Sequence, residues 1–217
     1  MSAAKLGSMA LAGLLASCAG YHAAGLVQSG RRALLISDSD SALSYFQQAA
    51  LIDPGYIFEY ELFREGVWTY VGRAQYKSGK LAEARESLER ALSVYPDDHL
   101  ARLYLGLTRA RAGEVSAAIG MIERALRDLH AWLEYTTYSN PFEDYWDPFR
   151  EIRSEIERNL MAISGKDVDP EKLVANAEWI GRTIEDEVDR VRDDRRRRLR
   201  DRRFPGSRVF LEGRIGF

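Results

Sequence analysis

The chain has 217 residues, 46% of them hydrophobic and 11% aromatic, with a formal net charge of −2. That length fits one large domain or two small ones, and the apolar share is sufficient for a packed core. The balance of charge argues against a generic nucleic-acid binder, although eight arginines and three aspartates crowd into residues 192–203.

The first feature in chain order is a short apolar run, Leu6 to Ala16, which follows Lys5 and closes on Leu15-Ala16-Ser17-Cys18. A charged start, an apolar centre and small residues before the only cysteine have the order of an export signal. The run falls well short of the roughly 20 apolar residues that cross a bilayer. Its last four residues resemble the bacterial lipobox. The resemblance implies removal of residues 1–17, a diacylglycerol on the Cys18 sulfur, a third acyl chain on its new amine, and residues 18–22 as a lipidated tether. Two or three acyl chains hold a protein stably on a membrane. Ala19, rather than Asp, after the cysteine implies the outer membrane. The expected address is therefore the bacterial envelope, facing the periplasm.

From Ala23 the chain reads as helix, with no convincing alternation of period two. Its middle repeats. A 34-residue window opened at Glu65 places Trp68, Val71, Gly72, Ala84, Leu88, Ala91 and Pro96 at spaced positions. A window opened at His99 gives Leu105, Gly106, Ala118, Ile122 and Ala125, and one opened at Ala23 gives Leu26, Gly30, Ala42, Phe46, Ala49 and Pro54. The pattern resembles the tetratricopeptide repeat, a helix–turn–helix unit. Departures fall at Ser29, Arg102, Arg109 and His130.

The resemblance implies an all-α solenoid of about three repeats spanning 23–132 (23–56, 65–98 and 99–132). In it Gly72 and Gly106 let the two helices of a pair pass at close range. Gly79 and Gly113 mark turns, and Pro54 and Pro96 stop helices. Residues 57–64 are an insertion, expected as extra helical turns. By the same resemblance, the first helix of each pair lines a concave partner-binding groove. That role falls to Val27 and Arg31, to Thr69, Arg73 and Tyr76, and to Leu100, Leu103 and Leu107. The three leucines suit cover by a helix, either this chain's own or a partner's.

Residues 133–147 are expected as an aromatic linker, with a turn at Asn140-Pro141. Trp132, Tyr135, Tyr138, Phe142, Tyr145, Trp146 and Phe149 cluster there. They are either packed under a cap or exposed as a pocket for a partner segment or glycan. Trp132, Tyr138, Tyr145 and Trp146 are the candidate pocket walls. Residues 148–203 are expected as capping helices and a long charged final helix. Asp147-Pro148 and Asp169-Pro170 are start signals and Gly165 is a stop. The stripes are Phe149, Ile152, Ile156, Leu160 and Ile163, then Leu173, Ala177, Ile180, Ile184, Val188 and Val191. Residues 204–217 form an apolar tail. The arginine run is a solvated helix end, or it contacts anionic lipid or an acidic partner.

No spacing of His22, His99 and His130 marks a metal or nucleophile site. The carboxylates lie among lysine and arginine as on solvated helix faces. The expectation is therefore no enzyme, no catalytic residue, no cofactor, no metal and no nucleic-acid partner. The expected role is an outer-membrane-anchored scaffold that holds envelope proteins in an assembly or export complex. The alternative is a solute- or glycan-binding accessory lipoprotein of an export system. Self-association through the last helix is also open.

Overall fold

A computed structural model describes residues 20–139, 145–166 and 168–203. Cys18 and the leader, the Asn140-Pro141 turn, Phe142 and the tail from Phe204 lie outside the described residues.

Three antiparallel helix pairs stack in sequence. The first pair joins α1 (residues 20–35) to α2 (Ser39–Ile52). The second joins α3 (Val67–Lys77) to α4 (Leu81–Val94), and the third joins α5 (His99–Arg111) to α6 (Val115–Tyr138). A short antiparallel hairpin, β1 (Ile57–Tyr60) and β2 (Phe63–Gly66), separates the first two pairs. Two more helices, α7 (Glu151–Ser164) and α8 (Pro170–Arg203), complete the described chain.

The small residues set the spacing within each pair. A Cβ placed on Gly72 would lie 2.5 Å from Leu88 Cγ, and one on Gly106 would lie 2.8 Å from Ile122 Cγ1. Gly30 meets the Phe46 ring in the same way. Ala42, Ala84 and Ala118 are buried in the second helices, as are Ala49, Ala91 and Ala125. Gly79 and Gly113 turn the chain with φ of +72° and +88°, where a side chain is strained. Asp38 and Asp98 cap α2 and α5, accepting the amides of Ser41 and Ala101 at 3.0 and 2.8 Å.

Residues 57–64, expected as helical turns, lie in the hairpin instead. Ile57 pairs with Gly66 and Tyr60 with Phe63, across a turn at Glu61, whose φ is +55°. Phe58, Phe63 and Glu65 face inward while Glu59 and Arg64 face water and pair at 3.2 Å. The alternation is real, but each strand has only four residues. Asp98 fastens this hairpin to the repeats: its second oxygen accepts from the Gly66 amide at 2.8 Å and the Thr69 hydroxyl at 2.7 Å.

Helix α6 continues to Tyr138, so residues 133–138 are helix rather than linker, and His130 lies well inside it, 3.0 Å from Glu157. Helix α7 begins at Glu151, not at Pro148, and Phe149 is exposed rather than part of its buried stripe. Asp147 still serves the helix start, because its carboxylate accepts the Ile152 and Arg153 amides. Gly165 closes α7 in a right-handed conformation, and Lys166 takes the positive φ of +59°. The start of α8 is as expected, with the Asp169 carboxylate accepting the amides of Glu171 and Lys172. The α8 stripe Leu173, Ala177, Ile180, Ile184, Val188 and Val191 is wholly buried. Among the described residues no helix is long and apolar enough to cross a membrane.

Gly72→Ala is expected to lower the unfolding free energy by about 1–3 kcal/mol, the cost of an overpacked core. Gly120→Ala, in α6 with nothing within 4 Å of its added Cβ, should instead raise it by up to about 1 kcal/mol through helix propensity. Urea unfolding followed by circular dichroism distinguishes the two.

Candidate functional site

The concave face is built from α1, α3 and α5. All eight candidate groove residues are buried: Arg31, Arg73 and Tyr76 bond side chains of α8, whereas Thr69 bonds Asp98 and Leu100 lies beside Leu62, Phe63 and Trp132. The groove is therefore not open. Helix α8 occupies it, packed chiefly on α5 and running antiparallel to α1 and α3. Gly181 permits the approach, since a Cβ there would sit 2.9 Å from the Tyr104 ring.

A ladder of polar contacts accompanies the apolar stripe. Near the start of α8, Glu178 accepts from Arg111 at 2.6 Å and from the Tyr76 hydroxyl. Two turns beyond Glu178, Glu185 meets Arg73 at 3.1 Å and Arg31 at 3.3 Å. Asp189 takes the other side of Arg31 at 3.2 Å. Arg73 also reaches Glu65 at 2.5 Å and lies over the Tyr104 ring, 5.0 Å from its centroid. Glu65, Arg73 and Arg31 are almost wholly buried.

Burial decides which of these groups carry charge. It pushes the Glu65 carboxyl well above the ordinary carboxylate range, and the pull of Arg73 does not reverse this. Burial also opposes ionisation of Glu185, but Arg73 and then Arg31 overcome it and hold that carboxyl down at about 2. Both guanidiniums stay charged, because the nearby carboxylates outweigh their desolvation. With Glu65 protonated, the two arginines face the two carboxylates Glu185 and Asp189, and the cluster is balanced. Sequence reasoning placed the acidic groups on solvated faces and so missed Glu65, Glu178, Glu185 and Asp189. Their only signal was recurrence at 178, 185 and 189, the heptad and one-turn steps that keep one helix side.

The four candidate pocket rings separate. Trp146 is 2% exposed and packs edge to face on Trp132 at 5.0 Å, while Phe63 of the hairpin stacks on Trp146 at 6.4 Å. The Trp132 indole donates to the Leu62 carbonyl at 3.1 Å. Trp146 is core and Trp132 is half-buried against it; together they clamp the hairpin to α6. Tyr138 and Tyr145, by contrast, are 81% and 64% exposed. The four do not wall a common pocket among the described residues.

Three ion pairs hold the α6–α7 corner. Arg153, buried, bonds Asp147 at 3.1 Å, Glu134 at 3.2 Å and the Thr137 hydroxyl at 3.0 Å; Arg150 pairs with Glu134 at 3.3 Å. This brings the end of α6 beside the start of α7; Tyr135 and Tyr138 on the last turns of α6, and Tyr145 and Phe149 in the approach to α7, are all exposed. Among the described residues no group of three or more His, Cys, Asp or Glu is placed to hold a metal ion.

Residues 72–130 match the tetratricopeptide repeat family, and the chain carries such repeats. Comparison with curated proteins finds no match. Among solved structures, the Sgt2 tetratricopeptide domain from Aspergillus fumigatus is similar at 19% identity and a TM-score of 0.42, over 66% of this chain and 78% of that one.

Arg73→Ala leaves the cluster one positive charge short, with Arg31 alone facing Glu185 and Asp189, and is expected to cost about 3–5 kcal/mol of stability, the usual result of breaking a buried pair from one side. The pH response has two limbs. Glu65 has a raised folded-state value, so its stabilisation is complete below the unfolded value of 4.5 and is lost as pH rises. Glu185 has a lowered one, so its stabilisation is present above 4.5 and is lost as pH falls toward 2. Glu65→Gln keeps a neutral group in place. Its urea midpoint should therefore rise relative to the parent chain as pH is raised from about 5 to 8, whereas a pH-independent difference would show Glu65 to be ionised in the fold.

Proposed function

We propose that this chain, with its tetratricopeptide repeats, is a lipid-anchored scaffold of the bacterial cell envelope, held by Cys18 at the outer membrane and facing the periplasm. It binds envelope proteins of an assembly or export complex. Such repeats act as protein-interaction modules, and the anchored reading comes from the Leu15–Cys18 signal. The observation that carries the binding role is the exposure of four aromatic rings, Tyr135, Tyr138, Tyr145 and Phe149, at the end of α6 and the approach to α7, the aromatic corner. Large exposed apolar groups gathered at one place mark interaction sites, and tyrosine and phenylalanine are enriched there. Because α8 already fills the concave face, the partner docks on this corner and not in the groove. The rings required for a glycan pocket are divided between core and surface, which favours the scaffold over the accessory solute-binding role.

A photoreactive residue at Tyr138 is expected to form adducts with envelope proteins in living cells, and one at Leu103 is not. Adducts at Leu103 with none at Tyr138 would mean that the groove opens by release of α8 and that the corner is inert. Mass measurement of the N-terminal peptide tests acylation of Cys18 separately.

A further inference from the structure

The pairing of α1 with α8 fixes the orientation of the chain's basic end. Arg31 meets Glu185 and Asp189, and Gln28 lies 3.5 Å from Arg192. Falling numbers on α1 thus meet rising numbers on α8. Continued at 1.5 Å per residue, about 12 Å more along both helices brings residue 20 level with about residue 200. The end of α1 that leads toward Cys18 therefore comes level with the arginine run, although more than 170 residues of sequence separate the two.

The exposed groups at this end are of two kinds. Arg196, Arg197, Arg200 and Arg202 are exposed on the last turns of α8. The acids and rings packed against the run draw in its earlier members. Asp194 pairs with Arg190, Asp193 with Arg196, Glu61 of the hairpin with Arg195, and Phe58 and Tyr60 receive Arg192. Beside the remaining arginines, Leu199 is 57% exposed, and Tyr21 of α1 is 87% exposed. A tyrosine and a leucine among arginines at the tip of a helix pair suit the boundary between headgroups and acyl chains, where aromatic rings settle and guanidiniums meet phosphate.

We infer that this end is a second membrane contact: the α1–α8 tip, through Arg197, Arg200, Arg202, Tyr21 and Leu199, rests on an anionic phospholipid surface. It takes from the proposed function only that the chain faces a bilayer, and it requires no acyl chain. In the anchored protein it would set the body's orientation, with α8 directed toward the lipid and the aromatic corner held at its side. A single anchor leaves the body free to swivel, whereas a basic contact beside the anchor restricts it.

The test uses the full chain carrying Cys18→Ser, which cannot be acylated, and sedimentation with vesicles. The chain is expected to co-sediment with vesicles containing phosphatidylglycerol, to do so less at high salt, and to ignore vesicles of phosphatidylcholine alone. The triple variant Arg197→Gln, Arg200→Gln, Arg202→Gln is expected to lose at least about tenfold in affinity, since each basic group near such a surface contributes severalfold. These side chains are solvated, so an unchanged urea midpoint identifies a folded variant. No binding by the parent chain, or equal binding by the triple variant, overturns the proposal. If the parent chain ignores the vesicles but is retained on immobilised polyglutamate, and the variant is not, the face belongs to an acidic protein instead. Because acylation is absent throughout, the result stands apart from whether Cys18 is lipidated in cells.

Discussion

Where α8 crosses the concave face, two guanidiniums and two carboxyls are largely removed from water with a third carboxyl at their edge, and the fold depends on their mutual arrangement. Arg31 comes from α1, Glu65 from β2, Arg73 from α3, and Glu185 and Asp189 from α8. A buried pair gains little over an apolar replacement but is costly to break from one side. The cluster therefore specifies position more than it adds stability. It admits α8 in one register and one direction. The apolar stripe of α8, which would tolerate a slip of one turn, supplies the burial.

That register has consequences at both ends of the helix. Near its start, Glu178 meets Arg111 and Tyr76 at the ends of α5 and α3. Further along, the Glu187 carboxylate accepts from the Asp147 amide, and Arg190 donates to the Tyr145 carbonyl. The segment carrying Trp146 is thereby brought onto the hairpin, whose Phe63 packs against both Trp132 and Trp146. Groove closure, the aromatic clamp and the placement of the arginine run beside α1 all follow from how this one helix is seated. A repeat array must cover its last apolar face. Here α7 caps the stack while α8 fills the inner surface, so one C-terminal unit performs both tasks.

Much of this was legible. Gly72 with Leu88, Gly106 with Ile122 and Gly30 with Phe46 are local signals at fixed spacing, because a helix pair is a local object: the contacts lie within one repeat. The α8 stripe and its Asp169-Pro170 start were legible for the same reason. The hairpin was not, because two four-residue strands are too short to show a period and Glu61 gives no turn signature of the glycine or asparagine kind. The end of α6 was misplaced because the break in repeat rhythm at Leu133 is a change of partner, not of conformation: the helix continues against α7. Phe149 falls at helical spacing yet is exposed, since the chain turns through left-handed Asp147 and Arg150 before α7 begins.

The sequence by itself determined the helix pairs, their close-approach glycines and the amphipathic last helix, because each is written in residues a few positions apart. Only the tertiary structure decided that the groove is filled, that Glu65 and Glu185 are drawn into it while Glu59 and Asp186 face water, that Trp146 is core and Tyr145 surface, and that α8 runs antiparallel along α1. Those outcomes depend on contacts across many tens of residues. Side-chain periodicity tells which face of a helix is apolar, but it does not tell which other helix will cover that face.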